Sequence, residues 1–188
     1  VTCNTIHLPP GTEISYRLLR GSIYGPWQKQ TFSAGYTDWK LEFATVHITL
    51  WNDDSPQNNQ YDSGEEITTD EDGAIKVEVS GVGQLVTCDT IHLPPDTTIS
   101  YRLLRSGIYG PWQTTTFSAG YIDWQLEFAT VHITLWNDDN PQNNQYDSGE
   151  EITTDEDAAI KVEVGGVGPL VTCNTIHLPP GTEISYRL

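Results

Sequence analysis

In the run Val46-His47-Ile48-Thr49-Leu50-Trp51, apolar Val46, Ile48 and Leu50 alternate with His47, Thr49 and Trp51. Successive side chains of an extended chain point to opposite faces, so this run predicts a strand with one buried face. Working outward, Ala74-Ile-Lys-Val-Glu-Val79 sets Ile75, Val77 and Val79 against Lys76 and Glu78. Upstream, Thr12 to Leu18 sets Ile14, Tyr16 and Leu18 against Ser15 and Arg17. Thr31-Phe-Ser33 and Trp39-Lys-Leu-Glu-Phe43 are shorter strand candidates. Pro and Gly interrupt the chain too often for a helix of about ten residues, and short alternating strands between turn signals are the pattern of an all-β sandwich. Pro9-Pro10-Gly11 predicts a tight turn, Asp72-Gly73 a hairpin turn, and Ser80-Gly-Val-Gly83 a flexible connection.

The chain repeats itself. Val1-Thr-Cys-Asn-Thr-Ile-His-Leu-Pro-Pro10 returns at Val86 and Val171, a period of 85, and residues 1–85 and 86–170 differ at only 13 positions. Residues 171–188 match 1–18 throughout. A unit of this length is able to bury its own core, and the period is too long for a typical solenoid, so the repeat predicts a string of small domains. The 188 residues begin with Val and recur to the same phase at Leu188, which suggests an excerpt of a longer array.

Charge is concentrated. Between Asn52 and Ile75 lie eight carboxylates and no Lys or Arg, and the second copy matches, so the two stretches hold 16 of 26 acidic residues in a chain of net charge -17. Such a balance repels phosphates, which argues against nucleic acid and anionic membrane as partners. No apolar run is long enough to insert in a membrane as a helix. Cysteine occurs once per repeat, at Cys3, Cys88 and Cys173. One cysteine cannot staple a unit internally, so each is expected as a buried small hydrophobe, with a disulfide between units or chains as the alternative.

The acidic stretch is the best candidate for bound chemistry. Asp54 to Glu65 has the 12-residue spacing of a calcium loop, with Asp54 first, Asn58 fifth, Gln60 at the backbone-carbonyl position, Asp62 ninth and Glu65 last. The second copy offers Asp139, Asn143, Gln145, Asp147 and Glu150. Pro56 falls at position 3 and has no side-chain oxygen; Asn59 replaces the usual Gly at position 6, and Asn tolerates the left-handed region. Asp53 would substitute for Asp54 if one residue is inserted. The bland alternative is a solvated acidic hairpin loop. Ile67-Thr-Thr-Asp-Glu-Asp-Gly73 reads as turn chemistry.

Val46-His-Ile-Thr-Leu50, Ile67-Thr-Thr-Asp-Glu-Asp-Gly-Ala-Ile-Lys-Val77 and Ile91-His-Leu-Pro-Pro-Asp-Thr-Thr-Ile-Ser-Tyr-Arg102 together resemble Cna B-type and SdrD B-type repeats. These are prealbumin-like (transthyretin-like) β-sandwiches of bacterial surface adhesins and pili. The resemblance covers about 60 residues of each unit and implies tandem Ig-like or prealbumin-like sandwiches of about 85 residues. It also sets the frame: 1–40 as the C-terminal half of one domain, 41–125 as a complete domain, and 126–188 as a partial one completed by the following or a neighbouring segment. SdrD B-type repeats carry a similar calcium loop, although there it usually precedes the strand that it follows here. Cna B-type domains often carry a Lys–Asn isopeptide bond; Lys29 and Lys40 have no lysine counterpart in the second copy, and Lys76 and Lys161 are expected to face solvent, so none is expected.

Other chemistry is weakly marked. His7, His47, His92, His132 and His177 each sit opposite apolar neighbours, as surface or interface histidines do. No Ser–His–Asp set or carboxylate pair is singled out, so the chain is not expected to be an enzyme. Trp27, Trp39, Trp51, Tyr24, Tyr36 and Tyr61 recur in the second copy, and either cap the sandwich or stack on sugar rings. The expected function is structural: a repeat protein of an extracellular, cell-surface filament or adhesin stalk. It would self-associate or continue as a long array, stiffened by Ca2+. A carbohydrate-binding module, with glycans as partners, is the alternative.

Overall fold

The computed structural model describes residues 4–54, 57–68, 73–139, 142–153 and 160–188. The described residues are all-β, with no helix. The strands are β1 (Glu13–Tyr16), β2 (Leu19–Arg20), β3 (Ile23–Tyr24), β4 (Gln28–Thr31), β5 (Ala44–Asn52), β6 (Ile75–Val79), β7 (Gly83–Leu85) and β8 (Thr90–Leu93). They continue as β9 (Thr97–Arg105), β10 (Ile108–Tyr109), β11 (Gln113–Phe117), β12 (Gly120–His132), β13 (Val162–Val164), β14 (Gly168–Leu170), β15 (Thr175–Leu178) and β16 (Tyr186–Arg187).

Two sheets share the main core. One runs β10-β9-β6-β7, with β11 also paired to β9, along Thr97–Tyr101; the second runs β15-β12-β5-β8. Val46, Ile48 and Leu50 of β5 meet Ile75, Val77 and Val79 of β6 in one buried cluster with Ile99, Tyr101, Phe117, Trp124 and Phe128. The period-two pattern has turned these side chains inward while Lys76 and Glu78 stay near solvent. The opposite face of β5 is also covered at its far end: Thr49 and Trp51 are buried, and Thr49 Oγ1 donates to Asp123 Oδ1 over 2.7 Å. Trp51 is therefore not the exposed sugar platform considered from the sequence.

β12 does two things. Its first part pairs parallel to β5, from Gly120↔Ala44 to Phe128↔Asn52. Its last residues pair antiparallel to β15, Ala129↔Leu178 to His132↔Thr175. That second ladder repeats the pairing of β5 with β8, Ala44↔Leu93 to His47↔Thr90. One unbroken strand thus closes the first core and opens the next copy.

In the second copy, β14-β13-β16 form one sheet, and the turn at Val171–Asn174 hydrogen-bonds as the turn at Val86–Asp89 does. No described strand lies alongside it where β12 lies against β5. Ile160 is accordingly 38% exposed against 2% for Ile75, and Trp136 39% against 7% for Trp51. The opening residues make the complementary part: β1 pairs with β4, and β2 with β3. Trp39 sits edge-on to Tyr16 and Phe32 at 4.5 and 5.2 Å, as Trp124 does to Tyr101 and Phe117 at 4.7 and 5.0 Å.

Several local expectations change. Residues 39–43 are not a strand, although the matching 124–128 are, because only the latter have a ladder partner in β5. The strand expected at 31–33 lies earlier, at β4. Cys88 and Cys173 are exposed, not buried. Each occupies a left-handed turn (φ 71° and 68°), and its backbone N–H donates to Ile48 O or Ile133 O. Cys3 lies outside the described residues. Ser80–Gly83 is a packed turn between β6 and β7, closed by Val82 N to Val79 O, with Ile23 lying against Gly81.

Glycine governs the contact between copies. A Cβ on Gly110 would lie 2.9 Å from Pro179 Cβ, and one on Gly25 the same distance from Pro94 Cβ. These pairs recur at the repeat period, so the hairpin after one copy's β9 or β1 seats on the Pro-Pro turn of the next.

Candidate functional site

The acidic loop leaves the end of β5 and comes back to it. Asn52 N donates to Glu65 O and Ile67 N to Leu50 O, which anchors both ends of residues 53–65. The second copy does the same between Asn137 and Glu150 and between Ile152 and Leu135. Inside the loop, Asp53 is the organiser. Its Oδ1 accepts from Asn58 N at 3.0 Å and its Oδ2 from Asn59 N at 2.9 Å. Asn58 Oδ1 accepts from Gln60 N, and its Nδ2 donates to Asp62 Oδ2 at 2.7 Å. Asp62 N donates to Glu65 Oε2 at 2.8 Å, and Glu65 is buried. Asn59 takes φ 58° and Asn144 φ 59°, the backbone that Gly supplies at the sixth position of a calcium loop.

Asn58, Gln60, Asp62 and Glu65 are thus tied into one loop, together with Asp53. Asp54 is set apart: Thr130 Oγ1 donates to its Oδ1 at 3.1 Å, and its Oδ2 lies 3.5 Å from His177 Nε2. In the second copy Asp138 accepts from Asn143 N and Asn144 N, Asn143 Oδ1 accepts from Gln145 N, and Asp147 accepts from Asn143 Nδ2. Asp147 N donates to Glu150 Oε2, and Asp139 instead accepts from Asn137 Nδ2. Pro56 and Thr69–Asp72 lie outside the described residues. Among the described residues, no group of three or more His, Cys, Asp or Glu side chains is placed to hold a metal ion.

A tyrosine stiffens the loop's return. Tyr61 lies edge-on to Trp51 at 5.9 Å and donates its hydroxyl to Glu66 Oε1, while Gly64 N donates to Glu66 Oε2. The hydrogen bond to Glu66 pushes the Tyr61 hydroxyl up to about 12 and holds the Glu66 carboxyl below its usual range. Tyr146 and Glu151 shift in the same directions for the same cause.

Beside the loop is a junction at His177, which reads from the sequence as a surface or interface histidine without its partners. Asn52 Nδ2 donates to His177 Nε2 at 2.7 Å, and Arg105 Nη1 donates to His177 O at 2.9 Å. His177 is an interface histidine between copies. Nothing local in the sequence marks its partners, because they lie 125 and 72 positions away.

The exposed aromatics form a third feature. Arg17 lies over the rings of Tyr24 and Trp27 at 4.1 and 4.8 Å, and Arg102 over Tyr109 and Trp112 at 4.1 and 4.7 Å. Glu78 fixes Arg102 from the other side through Nε, at 2.7 Å. No protein-family model matches the chain, and no curated protein or solved structure does.

Proposed function

We propose that the chain is a structural repeat protein: small β-sandwich units, of the Cna B-type and SdrD B-type kind, joined end to end as a stiff stalk or filament outside the cell. The observation that carries this reading is β12. Its 13 residues run about 40 Å at strand rise, from the core of one copy into the first ladder of the next, with no linker between. A shared strand resists bending in a way that a Gly/Ser linker does not. The Gly110–Pro179 contact and the His177 bracket hold the same joint from the side. Near-identical repeats give near-identical joints, which is the condition for a regular rod. Calcium in the loop from Asp53 to Glu65, and from Asp138 to Glu150, would fix the flank of each joint.

Small-angle scattering at high dilution tests this. The chain should scatter as a rigid elongated particle, and inserting Gly-Ser-Gly-Ser between Phe128 and Ala129 should broaden its distance distribution. Equal flexibility before and after the insertion would remove the stalk reading.

Exposed Trp27 and Trp112 favour carbohydrate binding as the second reading. Against it, Arg17 and Arg102 already occupy a face of each ring. A glycan array decides: retention that Trp112→Ala abolishes would replace the structural reading.

A further inference from the structure

β5 and β12 overlap like the two halves of a lap joint. Their ladder runs parallel over nine residue pairs, from Gly120↔Ala44 to Phe128↔Asn52. The chain enters the core at Ala44, the first residue of β5. It leaves at the far end, where β12 continues past Phe128 to His132. Residues 53–119 are strung between the other two strand ends, Asn52 and Gly120. Tension along the chain therefore pulls β5 from Ala44 and β12 from His132. These points lie at opposite ends of parallel strands, so the pull runs along the strands and in opposite senses.

We propose that this ladder is a tensile clamp, which carries load through the unit and keeps the rest of it out of the load path. The bonds of a parallel ladder are evenly spaced along the strands, so a pull along the axis strains all of them together. A pull across the strands at one end opens them one at a time. Side chains reinforce the same overlap. Thr49 Oγ1 donates to Asp123 Oδ1 at 2.7 Å in the middle of the ladder. At its exit, Thr130 Oγ1 donates to Asp54 Oδ1 at 3.1 Å and Asn52 Nδ2 to His177 Nε2 at 2.7 Å. Trp124, Leu126 and Phe128 share a buried core with Val46, Ile48 and Leu50, and a slip of one residue would turn either set out of it.

The features off the load path are the ones that stand out from the sandwich. The acidic loop has both ends tied to β5 alone, through Asn52 N to Glu65 O and Ile67 N to Leu50 O. The hairpin that sets Tyr109 and Trp112 against Arg102 extends from β9, in the other sheet. Both would keep their shape while the clamp holds. The clamp rests on the stalk reading for its use, since a rod between two bodies is put under tension. Its geometry does not depend on that reading.

Single-molecule force spectroscopy of the whole chain tests the proposal, with handles attached through azide-bearing residues at exposed positions. Handles at Glu42 and Thr134 load the ladder along its axis. Handles at Glu42 and Ser118 meet β5 and β12 at the same end and open the ladder pair by pair. The first geometry should rupture at a severalfold higher force, in one step that releases roughly 300 Å of chain at about 3.3–3.6 Å per residue. Asp123→Ala removes a bond inside the ladder and should lower that force. Val77→Ala opens a void in β6, off the ladder, and should lower the melting temperature more but the force less, because forced unfolding follows the unfolding barrier rather than the equilibrium. Equal forces in the two geometries, or a force that falls with Val77→Ala and not with Asp123→Ala, would overturn the clamp. A weak clamp in a chain that still scatters as a rigid rod would leave the stalk reading standing. A strong clamp in a chain that scatters as a flexible one would remove the stalk and keep the clamp.

Discussion

Asn52 Nδ2 donates to His177 Nε2 over 2.7 Å, tying the root of the first acidic loop to β15, the strand before the Pro-Pro turn at Pro179. Thr130 and Arg105 bond to the same cluster from β12 and β9, so the joint between copies has polar side-chain contacts as well as a shared strand.

The joint should be separable from the cores. Asn52→Ala is expected to cost about 1 kcal/mol, the usual worth of one such hydrogen bond, and to act on the cooperativity between copies. Gly110→Ala should act more strongly, because its new Cβ would meet Pro179 Cβ at 2.9 Å and force the hairpin away. Calorimetry should show the second copy melting earlier and the first nearly unchanged. A single transition at the original midpoint in Gly110→Ala would mean that this contact does not hold the joint.

Identical tryptophans should have unequal weight. Trp124 is buried between Tyr101 and Phe117 in the closed core, so Trp124→Ala should cost about 3–5 kcal/mol. Trp39 occupies the same repeat position without a covering sheet, and Trp39→Ala in dilute solution should shift the main transition by less than about 1 kcal/mol. Urea denaturation followed by near-ultraviolet circular dichroism measures both. Comparable losses would show that the first copy's tryptophan is buried to the same degree.

The Tyr61–Glu66 pair predicts a pH window. Glu66 is lowered in the folded chain, so its contribution is present above its unfolded value, near 4.5, and is lost as pH falls through the lower folded value. Tyr61 is raised, so its contribution is full below about 10 and lost as pH rises through about 12. Tyr61→Phe should therefore destabilise the loop between these limits and converge with the unaltered chain beyond them. The pair is close to solvent, so the difference should stay under about 1 kcal/mol. Amide exchange at Asp62–Glu66 across the pH range is the measurement; an offset that does not change with pH would assign the effect to packing on Trp51.

Calcium is expected to raise the melting temperature, and a chelator to lower it, if the loop holds the ion. Asp53→Asn together with Asp138→Asn should abolish the response, since these carboxylates organise the loops. Asp54→Asn should leave it largely intact, because Asp54 faces Thr130 and His177. An unchanged midpoint in chelator would leave the loop as a hairpin held by its own hydrogen bonds.

Much of this fold was legible in one dimension. Alternation at Val46–Trp51 and Ala74–Val79 marks β5 and β6 because burial of one strand face imposes a period of two, whatever the tertiary partner. The left-handed place of Asn59 followed from loop spacing and from asparagine's tolerance of positive φ. Less of the site was legible. The spacing favoured Asp54 as the first position of the loop, but the backbone turns Asp53 inward, and one residue's shift along an extended chain reverses the side chain.

The sequence by itself determined what repeats: strand periodicity, turn residues and the acidic loop are local properties, and each copy carries them alike. Tertiary structure alone decided how alike copies come to differ. Gly35–Phe43 and Gly120–Phe128 share nearly every residue, yet only the second is a strand, because β5 lies beside it. Trp51 and Trp136 are the same residue of the same repeat, one buried and one open. Backbone pairing and burial belong to neighbours, and neighbours brought together from 76 residues away, as Gly120 and Ala44 are, leave no mark on the local sequence.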